Sequence, residues 1–219
     1  MFVGHYGAAF VARAAAPRLP LWLLLLAAQA VDLLFLALVA VGVERVALDP
    51  SLPSNPLDLQ HMPISHGLLA TAVWSAGVFA VSRSAAGLDR RSAAVLAAVV
   101  GSHWGLDFIV HRPDLPLVFG EPRLGLALWN HPLPAFLLEE AWLLASLVVS
   151  LRWVAPSPRT RRRAILLVLG LAALQAASGM MAPPASVPVF LVSMGAVLLL
   201  VPGLGRAVES AQPRSRQTA

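Results

Sequence analysis

The chain has 219 residues, of which 58% are hydrophobic and 12% are charged, and its mean hydropathy is +0.75. This small number of charged side chains cannot cover the surface of a water-soluble globule of this length. The composition therefore excludes an ordinary soluble domain and predicts an integral membrane protein. The formal net charge is +5, all basic residues are arginine, and cysteine is absent, which excludes disulfides and thiolate metal ligands.

The first predicted element is a short helix over residues 4–17, an alanine-rich segment that ends near Pro17 and Pro20. It is too short to cross a bilayer, and two arrangements are open. If the segment folds back into the membrane, a turn between the two prolines places His5 and Asp32 at the same depth, because each lies about twelve residues from the turn. In the other arrangement the helix is amphipathic and lies on the membrane surface.

Six apolar stretches follow, each near the roughly 20 residues that a membrane-spanning helix needs. They occupy residues 20–42, 64–83, 92–111, 134–154, 164–182 and 186–203. The first stretch contains Gln29 and Asp32 and is too long for the apolar part of a signal peptide, so we interpret it as an uncleaved span. The sequence therefore predicts an all-α, polytopic bundle of about six transmembrane helices, with one domain over residues 1–206 and a disordered cytoplasmic tail over 207–219.

The arginines predict the orientation of these spans. With the N-terminus inside, thirteen of the sixteen arginines fall in cytoplasmic segments, and the external loops hold Arg45, Arg112 and Arg123. The positive-inside rule thus predicts that both termini lie in the cytoplasm. The basic run over residues 159–163 is interpreted in the same way, as arginines beside anionic lipid, so no nucleic-acid partner is expected.

The third span carries the most informative polar residues, His103, Asp107 and His111, which are spaced four apart. Four residues advance a helix by about 400°, so the three side chains fall on one stripe. Ionisable groups at membrane depth are costly unless they are paired, hydrated or bound to an ion, and a carboxylate between two imidazoles is a metal-binding set. The alternatives are a structural hydrogen-bonded pair of His103 and Asp107 and, for His111, a helix end at the water boundary before Pro113.

Polar residues of other segments are predicted at a similar depth. His66 opens the second span, and the neighbours Glu139 and Glu140 enter the fourth. The candidate metal ligands are therefore His5, Asp32, His66, His103, Asp107 and His111. A structural hydrogen-bonding role is the alternative for His66 and Asp32. Ser65 and Ser102 each precede a histidine, but adjacent helical residues point about 100° apart, which argues against a Ser–His nucleophile.

The chemistry of such a site follows from its ligands. Imidazoles and carboxylates bind Zn²⁺ or Mn²⁺, and water bound to such an ion has its pKa lowered to about 7. One ion can use either pair of the stripe but hardly all three residues, since the stripe is roughly 12 Å long, and a dinuclear site is permitted but not required. Glu139 or Glu140 is then expected to act as a general base or to fix a histidine tautomer. Glu140 is slightly preferred because it shares a helix face with Leu133, Leu137 and Leu144.

The order of these motifs resembles a known family. An N-terminal G-H, an aspartate in the first span, an S-H at the second and the string S-H-W-x-L-D-x-x-x-H-R-P-D-L-P-L are similar to bacterial inner-membrane proteins described as membrane-bound metal-dependent hydrolases. The resemblance covers about residues 1–154, and the string that begins at Ser102 is its most specific part. It implies a bacterial cytoplasmic-membrane location and the metal-site residues His5, Asp32, His66, His103 and Asp107. Some members carry P-D-x-D-H after the first span, where this chain has A-V-D-L-L.

We therefore expect an outward-facing, metal-dependent hydrolase that acts on a lipid-borne or periplasmic ester or phosphoester. Its expected partners are membrane lipid and a small-molecule or lipid substrate, and its expected cofactor is zinc, with manganese as the alternative. The same stripe also suits a small permease or a proton or cation carrier, and a third hypothesis is a non-enzymatic membrane partner. Transporters often contain repeats with broken helices, and the absence of a convincing repeat here favours the enzyme. The sequence predicts no oligomeric state.

Overall fold

The protein folds into a helical bundle with two small β-hairpins, and the computed structural model describes residues 1–210. Eight α-helices lie in this part of the chain: α1 His5–Ala15, α2 Leu21–Ala28, α3 Ala30–Ala40, α4 Leu68–Ser84, α5 Arg90–Val110, α6 Pro132–Val154, α7 Pro158–Ser178 and α8 Val187–Glu209. The strands pair antiparallel as β1 Arg45–Leu48 with β2 Leu57–His61, and as β3 Leu115–Pro116 with β4 Arg123–Leu124. A short 3-10 helix, Leu128–Asn130, precedes α6. α8 extends through Glu209, into the predicted tail, and the rest of that tail, residues 211–219, lies outside the described residues.

The number of candidate spans is smaller than the sequence predicted. Among residues 1–210, three helices, α5, α6 and α8, are long and apolar enough to cross a membrane, and the bent pair α2–α3 makes a fourth if it counts as one span. The prediction of six spans is not supported. α4 is apolar but has only 17 residues, and the first turns of α7 carry the basic run over residues 159–163. Both segments are helical as expected, but their length or their charge sets them apart from the other four.

Local signals in the sequence explain where the long helices begin. The carboxylate of Asp89 accepts a hydrogen bond from the Ser92 amide at 3.0 Å just before α5, which satisfies one of the amides that a helix start leaves free. Ser157 and Ser186 cap α7 and α8 in the same way. Proline at the start of α6, α7 and α8 loses no helical hydrogen bond, because the first turn has no carbonyl partner for its nitrogen.

The first apolar stretch is broken rather than straight. α2 and α3 meet at Gln29 with a bend of 50°. The Gln29 side chain is fully buried, and its Nε2 donates to the Phe2 carbonyl at 3.1 Å. The amide of Gln29 bonds to the Leu26 carbonyl at 3.2 Å, in a turn tighter than that of an α-helix, so the regular ladder of hydrogen bonds is interrupted there. The break leaves the Ala28 carbonyl at the centre of the bundle available to another residue.

The N-terminal helix packs inside the bundle, so the surface-lying arrangement is wrong. None of the residues of α1 is exposed, and the helix contacts α2, α5 and α6. Gly7 permits the close approach to α6, because a side-chain carbon at this position would clash with the Trp142 ring. On the other side of the turn, Glu209 pairs with Arg13 and accepts the Leu21 amide at 2.8 Å. The hairpin of α1 and α2 therefore carries His5 back to the depth of Asp32, as the fold-back arrangement predicts.

Large apolar side chains lie both in the interior of the bundle and on its outer surface. One buried cluster is built around α1 and α2, with Tyr6, Phe10 and Leu24 at its centre, and a second cluster surrounds Phe35 and Phe190. Many large apolar side chains also point outward, among them Val73, Leu137, Val192 and Leu199. Soluble monomers rarely expose so many, so this outer surface is typical of a lipid-facing one.

Candidate metal centre

The predicted stripe on α5 is present and buried. Nε2 of His103 lies 3.2 Å from Oδ2 of Asp107, and Nε2 of His111 lies 3.3 Å from Oδ1 of the same carboxylate. The helix ends at Val110, as the H-R-P-D sequence suggested, but His111 is not at a water boundary. It is only 3% exposed, and its ring packs 4.1 Å from the ring of Trp129.

Three other segments bring their predicted residues to the same place. His5 of α1 directs Nε2 to Oδ1 of Asp107 at 3.0 Å, and its ring stacks on that of His103 with 3.7 Å between centroids. His66 directs Nε2 to Oδ1 of Asp32 at 3.2 Å and lies 3.7 Å from Oδ2 of Asp107. All six predicted ligands therefore form one cluster around the Asp107 carboxylate.

Two sets within this cluster have the spacing of a metal-binding group. His5, His103 and Asp107 form the first, and Asp32, His66 and His103 form the second. In each set one ligand atom from every residue lies within 4.8 Å of the others. The two sets share His103, because its Nε2 faces both carboxylates, at 3.2 Å from Asp107 and 3.6 Å from Asp32.

Nδ1 of His103, the ring nitrogen that does not face Asp107, contacts a backbone carbonyl at the break between α2 and α3. Nδ1 of His103 lies 3.1 Å from the Ala28 carbonyl, the group that the bend at Gln29 leaves free. A carbonyl only accepts hydrogen bonds, so Nδ1 carries the proton. In the neutral ring, Nε2 then presents its lone pair to the centre of the cluster, which is the form of histidine that binds a metal.

His111 and His66 are oriented by the same principle. Nδ1 of His111 lies 2.8 Å from the carboxylate of Asp114, which also only accepts. Nδ1 of His66 lies 2.8 Å from the Ser65 hydroxyl, and this hydroxyl donates to the Glu44 carboxylate, which further accepts the Ser65 amide at 2.9 Å. Acceptors outside the cluster thus fix three histidines with Nε2 directed inward, as in histidines that ligate metals.

The cluster contains buried atoms that fit a bound cation. Among the described residues, Nε2 of His103 and Oδ2 of Asp107 are buried and have no hydrogen-bond partner. A lone pair that faces a carboxylate oxygen is unfavourable unless a proton or a metal ion lies between them. The α-amino group of Met1 also contacts Asp107. Because the donors are imidazoles and carboxylates, the set could hold a metal ion.

The slight preference for Glu140 over Glu139 is wrong as a statement about which side chain faces inward. Glu139 is 2% exposed, and its Oε2 accepts the amides of Phe2 and Gly4 at 2.9 and 3.2 Å. Glu140 is only partly buried, and the leucines that share its face, Leu133, Leu137 and Leu144, are all exposed. The apolar stripe of this helix faces outward, so Glu139 is the carboxylate beside the cluster.

Sequence reasoning missed four residues that support the site. Ser65 and His66 precede the helix that was expected to hold them, because α4 begins only at Leu68, and their side chains meet in the preceding turn. Asp114 lies three residues after His111, and this spacing could have indicated their contact. Glu44 lies 21 positions from Ser65, so no local pattern in the sequence indicates their contact. Trp129 packs its ring on that of His111.

Part of the cluster lines a cavity of about 540 Å³. Asp32, His66, His111 and Glu139 are lining residues, so three of the candidate ligands and the inward carboxylate are reachable by a ligand of small-molecule size, whereas His5, His103 and Asp107 do not line the cavity. Comparisons of the chain with protein-family models, with curated proteins and with solved structures find no match.

Proposed function

We propose that the protein is a membrane-embedded, metal-dependent hydrolase that acts on a lipid-borne or periplasmic ester or phosphoester. The observation that carries this proposal is the orientation of His66, His103 and His111, whose Nδ1 atoms are held by outer acceptors while their Nε2 atoms face the carboxylates of Asp32 and Asp107. The Nε2 lone pairs that point into the cluster can bind a cation, and the cavity gives a substrate access to the cluster.

Either of the two sets could hold the ion. His5, His103 and Asp107 supply one set of donors, and Asp32 and His66 complete the other with the shared His103. A divalent zinc or manganese ion bound there supplies a Lewis acid and a water that ionises near neutral pH. Three protein ligands leave a coordination position free, which is typical of catalytic rather than structural zinc sites.

Glu139 is the proposed general base. It lines the same cavity as the cluster, and the amides of Phe2 and Gly4 hold its Oε2, which restricts the orientation of the carboxylate. A base held in this way accepts a proton from an attacking water without first having to reorganise. The matched residue is Glu140, which lies next in the chain, is only partly buried and does not line the cavity.

The proposed location is the bacterial cytoplasmic membrane, with both termini inside. The outward-facing apolar side chains and the span-length helices support insertion, and the arginine distribution supports the orientation. Both termini can share one side only if the number of crossings is even. The split of thirteen arginines inside and three outside requires α4 and α7 to cross the membrane together with α2–α3, α5, α6 and α8.

A cation or proton carrier is the second candidate, and the bend at Gln29 is the observation that favours it. Transporters commonly place their ion sites where a membrane helix is broken, because the freed backbone groups contribute to the site. Here the freed Ala28 carbonyl holds a histidine of the cluster. In a carrier, the contacts between His and Asp side chains would relay or bind the transported ion instead of activating water.

One pair of measurements separates the two candidates. Purified, metal-loaded protein is assayed on para-nitrophenyl esters and phosphoesters, as wild type, Glu139→Gln and Glu140→Gln. For a hydrolase, Glu139→Gln should lower turnover by about a hundredfold or more while metal remains bound, and Glu140→Gln should retain turnover. No turnover on any substrate, together with a cation flux in proteoliposomes that His103→Ala or Asp107→Asn abolishes, would establish the carrier instead.

A further inference from the structure

The cavity beside the candidate metal centre combines polar and apolar lining residues, and its charged or ionisable side chains are those already described, Asp32, His66, His111 and Glu139. Most of the other lining side chains are apolar, among them Phe35 and Leu36 of α3, Leu57 and Leu59 of β2, Phe136 of α6, and Phe190 and Met194 of α8. Ser54, Asn55, Gln175 and Ser178 add uncharged polar groups. This mixture matches an amphiphilic ligand better than a wholly polar one, because a wholly polar ligand would lose its hydration against the apolar walls and gain few hydrogen bonds there.

The size of the cavity limits the apolar part of such a ligand. A volume of about 540 Å³ lies within the range of pockets that enclose one small molecule. At about 30 Å³ for each water-sized group, it holds on the order of eighteen groups, which suffices for one long alkyl chain but not for two. The walls include methionine, a flexible side chain that adapts to irregular apolar shapes.

The rim of the cavity is itself apolar. Met181, Ala182, Pro183 and Pro184, in the loop between α7 and α8, line it, and Met181 is 72% exposed. α8, which supplies one wall, is among the helices long enough to span a membrane. A chain could therefore enter from the lipid phase along this rim without crossing a charged surface.

We propose that the substrate is a single-chain amphiphile, whose alkyl chain occupies the cavity while its ester or phosphoester head lies between His66, His111 and Glu139. This inference rests on the proposed function for the reaction of the head group. Binding of the chain does not require turnover, so the two can be tested separately.

The natural absence of cysteine provides a direct test. Met194→Cys places a single thiol in the cavity wall, and Val192→Cys places one on the same helix at a position that is 74% exposed and does not line the cavity. Each variant, loaded with zinc in nanodiscs of two-chain phosphatidylcholine, is labelled with a maleimide. The added probes are tetradecylphosphonate, a two-chain phosphonate lipid with the same head, and methylphosphonate.

Tetradecylphosphonate should slow labelling of Met194→Cys, and at ten times its dissociation constant the rate should fall by about tenfold, because about one cavity in eleven stays free. The two-chain lipid and methylphosphonate should leave the rate unchanged, and Val192→Cys should be insensitive to all three. Phe136→Cys, on the α6 wall, should repeat the pattern of Met194→Cys and covers the case in which that variant does not fold.

Two results would overturn the inference. One is equal protection by the two-chain lipid, which would mean that the cavity takes a different class of lipid. The other is that tetradecylphosphonate leaves the labelling rates of Met194→Cys and Phe136→Cys unchanged while the protein hydrolyses short soluble esters. The protein would then be a hydrolase whose cavity does not bind an alkyl chain. Protection without any hydrolysis would support the chain site and count against the hydrolase alone.

Discussion

Oδ2 of Asp107 lies 3.2 Å from Nε2 of His103, one helical turn earlier on α5, yet neither buried atom has a hydrogen-bond partner within residues 1–210. Nδ1 of His103 donates to the Ala28 carbonyl, so Nε2 of the neutral ring holds a lone pair. Two lone pairs at this distance are stable only with a proton or a metal ion between them. A bound metal ion is the alternative that the proposed function requires.

Added metal should stabilise the folded protein. An ion that binds only the folded state at 100 times its dissociation constant contributes about 2.7 kcal/mol, so zinc should raise the melting temperature of the wild type by several degrees. His103→Ala should melt at the same temperature with and without zinc. His131→Ala serves as the control, since this exposed histidine lies outside the cluster and should keep the full shift. A zinc shift that survives in His103→Ala would contradict the assignment.

Removal of the Glu44 carboxylate should weaken metal binding without touching a proposed ligand. Glu44 accepts the Ser65 hydroxyl that orients His66, and outer partners of this kind typically change metal affinity by about 10- to 100-fold. Glu44→Gln should therefore raise the zinc dissociation constant by roughly that factor in a competition titration with a chelator. Asp58→Asn, an exposed carboxylate on the same β-hairpin, should bind zinc as the wild type does. Equal affinities in the two variants would remove Glu44 from the site.

The ion pair at the turn of the N-terminal hairpin should matter for stability. Arg13 is largely buried and pairs with Glu209, so its replacement by methionine leaves a carboxylate without its charged partner. Breaking one side of a buried pair typically costs about 3–5 kcal/mol. Arg13→Met should unfold at markedly lower denaturant than the wild type, whereas Arg18→Met, at an exposed position in the same turn, should unfold normally. Identical unfolding of both variants would show that the pair is dispensable.

The orientation is testable by reporter fusions. A fusion at Ala219 should report a cytoplasmic location, and one within residues 113–134 a periplasmic location, because thirteen of sixteen arginines then lie inside. A fusion within residues 49–56, in the turn of the first β-hairpin, should also be periplasmic, which requires α2–α3 to cross as one span and α4 to cross before α5. A periplasmic signal at Ala219 would reverse the proposed orientation.

The parts of the site that the sequence predicts are those that depend on helical periodicity. The spacing of four along α5 predicts that His103 and Asp107 share a stripe, and the prolines at 17 and 20 predict the turn that returns His5 to the cluster. The bend at Gln29 was not predictable, since neither glycine nor proline marks it and the hydrogen bond of its side chain to the Phe2 carbonyl is a tertiary contact. The contact of Glu44 with Ser65 is likewise a product of the tertiary fold.

The choice between Glu139 and Glu140 failed for a different reason. The sequence argument placed the leucine-rich face of α6 against the other helices, as in a soluble bundle. In lipid the apolar face has no need of protein partners, and helices instead approach one another through small and polar residues. Leu137 and Leu144 accordingly face outward, and Glu139 faces the cluster. Fewer than six helices have the length and composition of a span, because α4 has 17 residues and the first turns of α7 carry arginines.

The metal content of the purified protein distinguishes a cluster that binds a metal ion from one that binds only a proton. Wild-type protein, Glu140→Gln and the double variant His103→Ala with Asp107→Ala are purified in detergent, equilibrated with zinc, freed of excess metal and analysed by mass spectrometry of the elements. We expect stoichiometric zinc in the first two and its loss in the double variant, because the latter lacks donors from both candidate sets. Stoichiometric zinc in the double variant, or none in the wild type, would contradict a metal centre at this cluster.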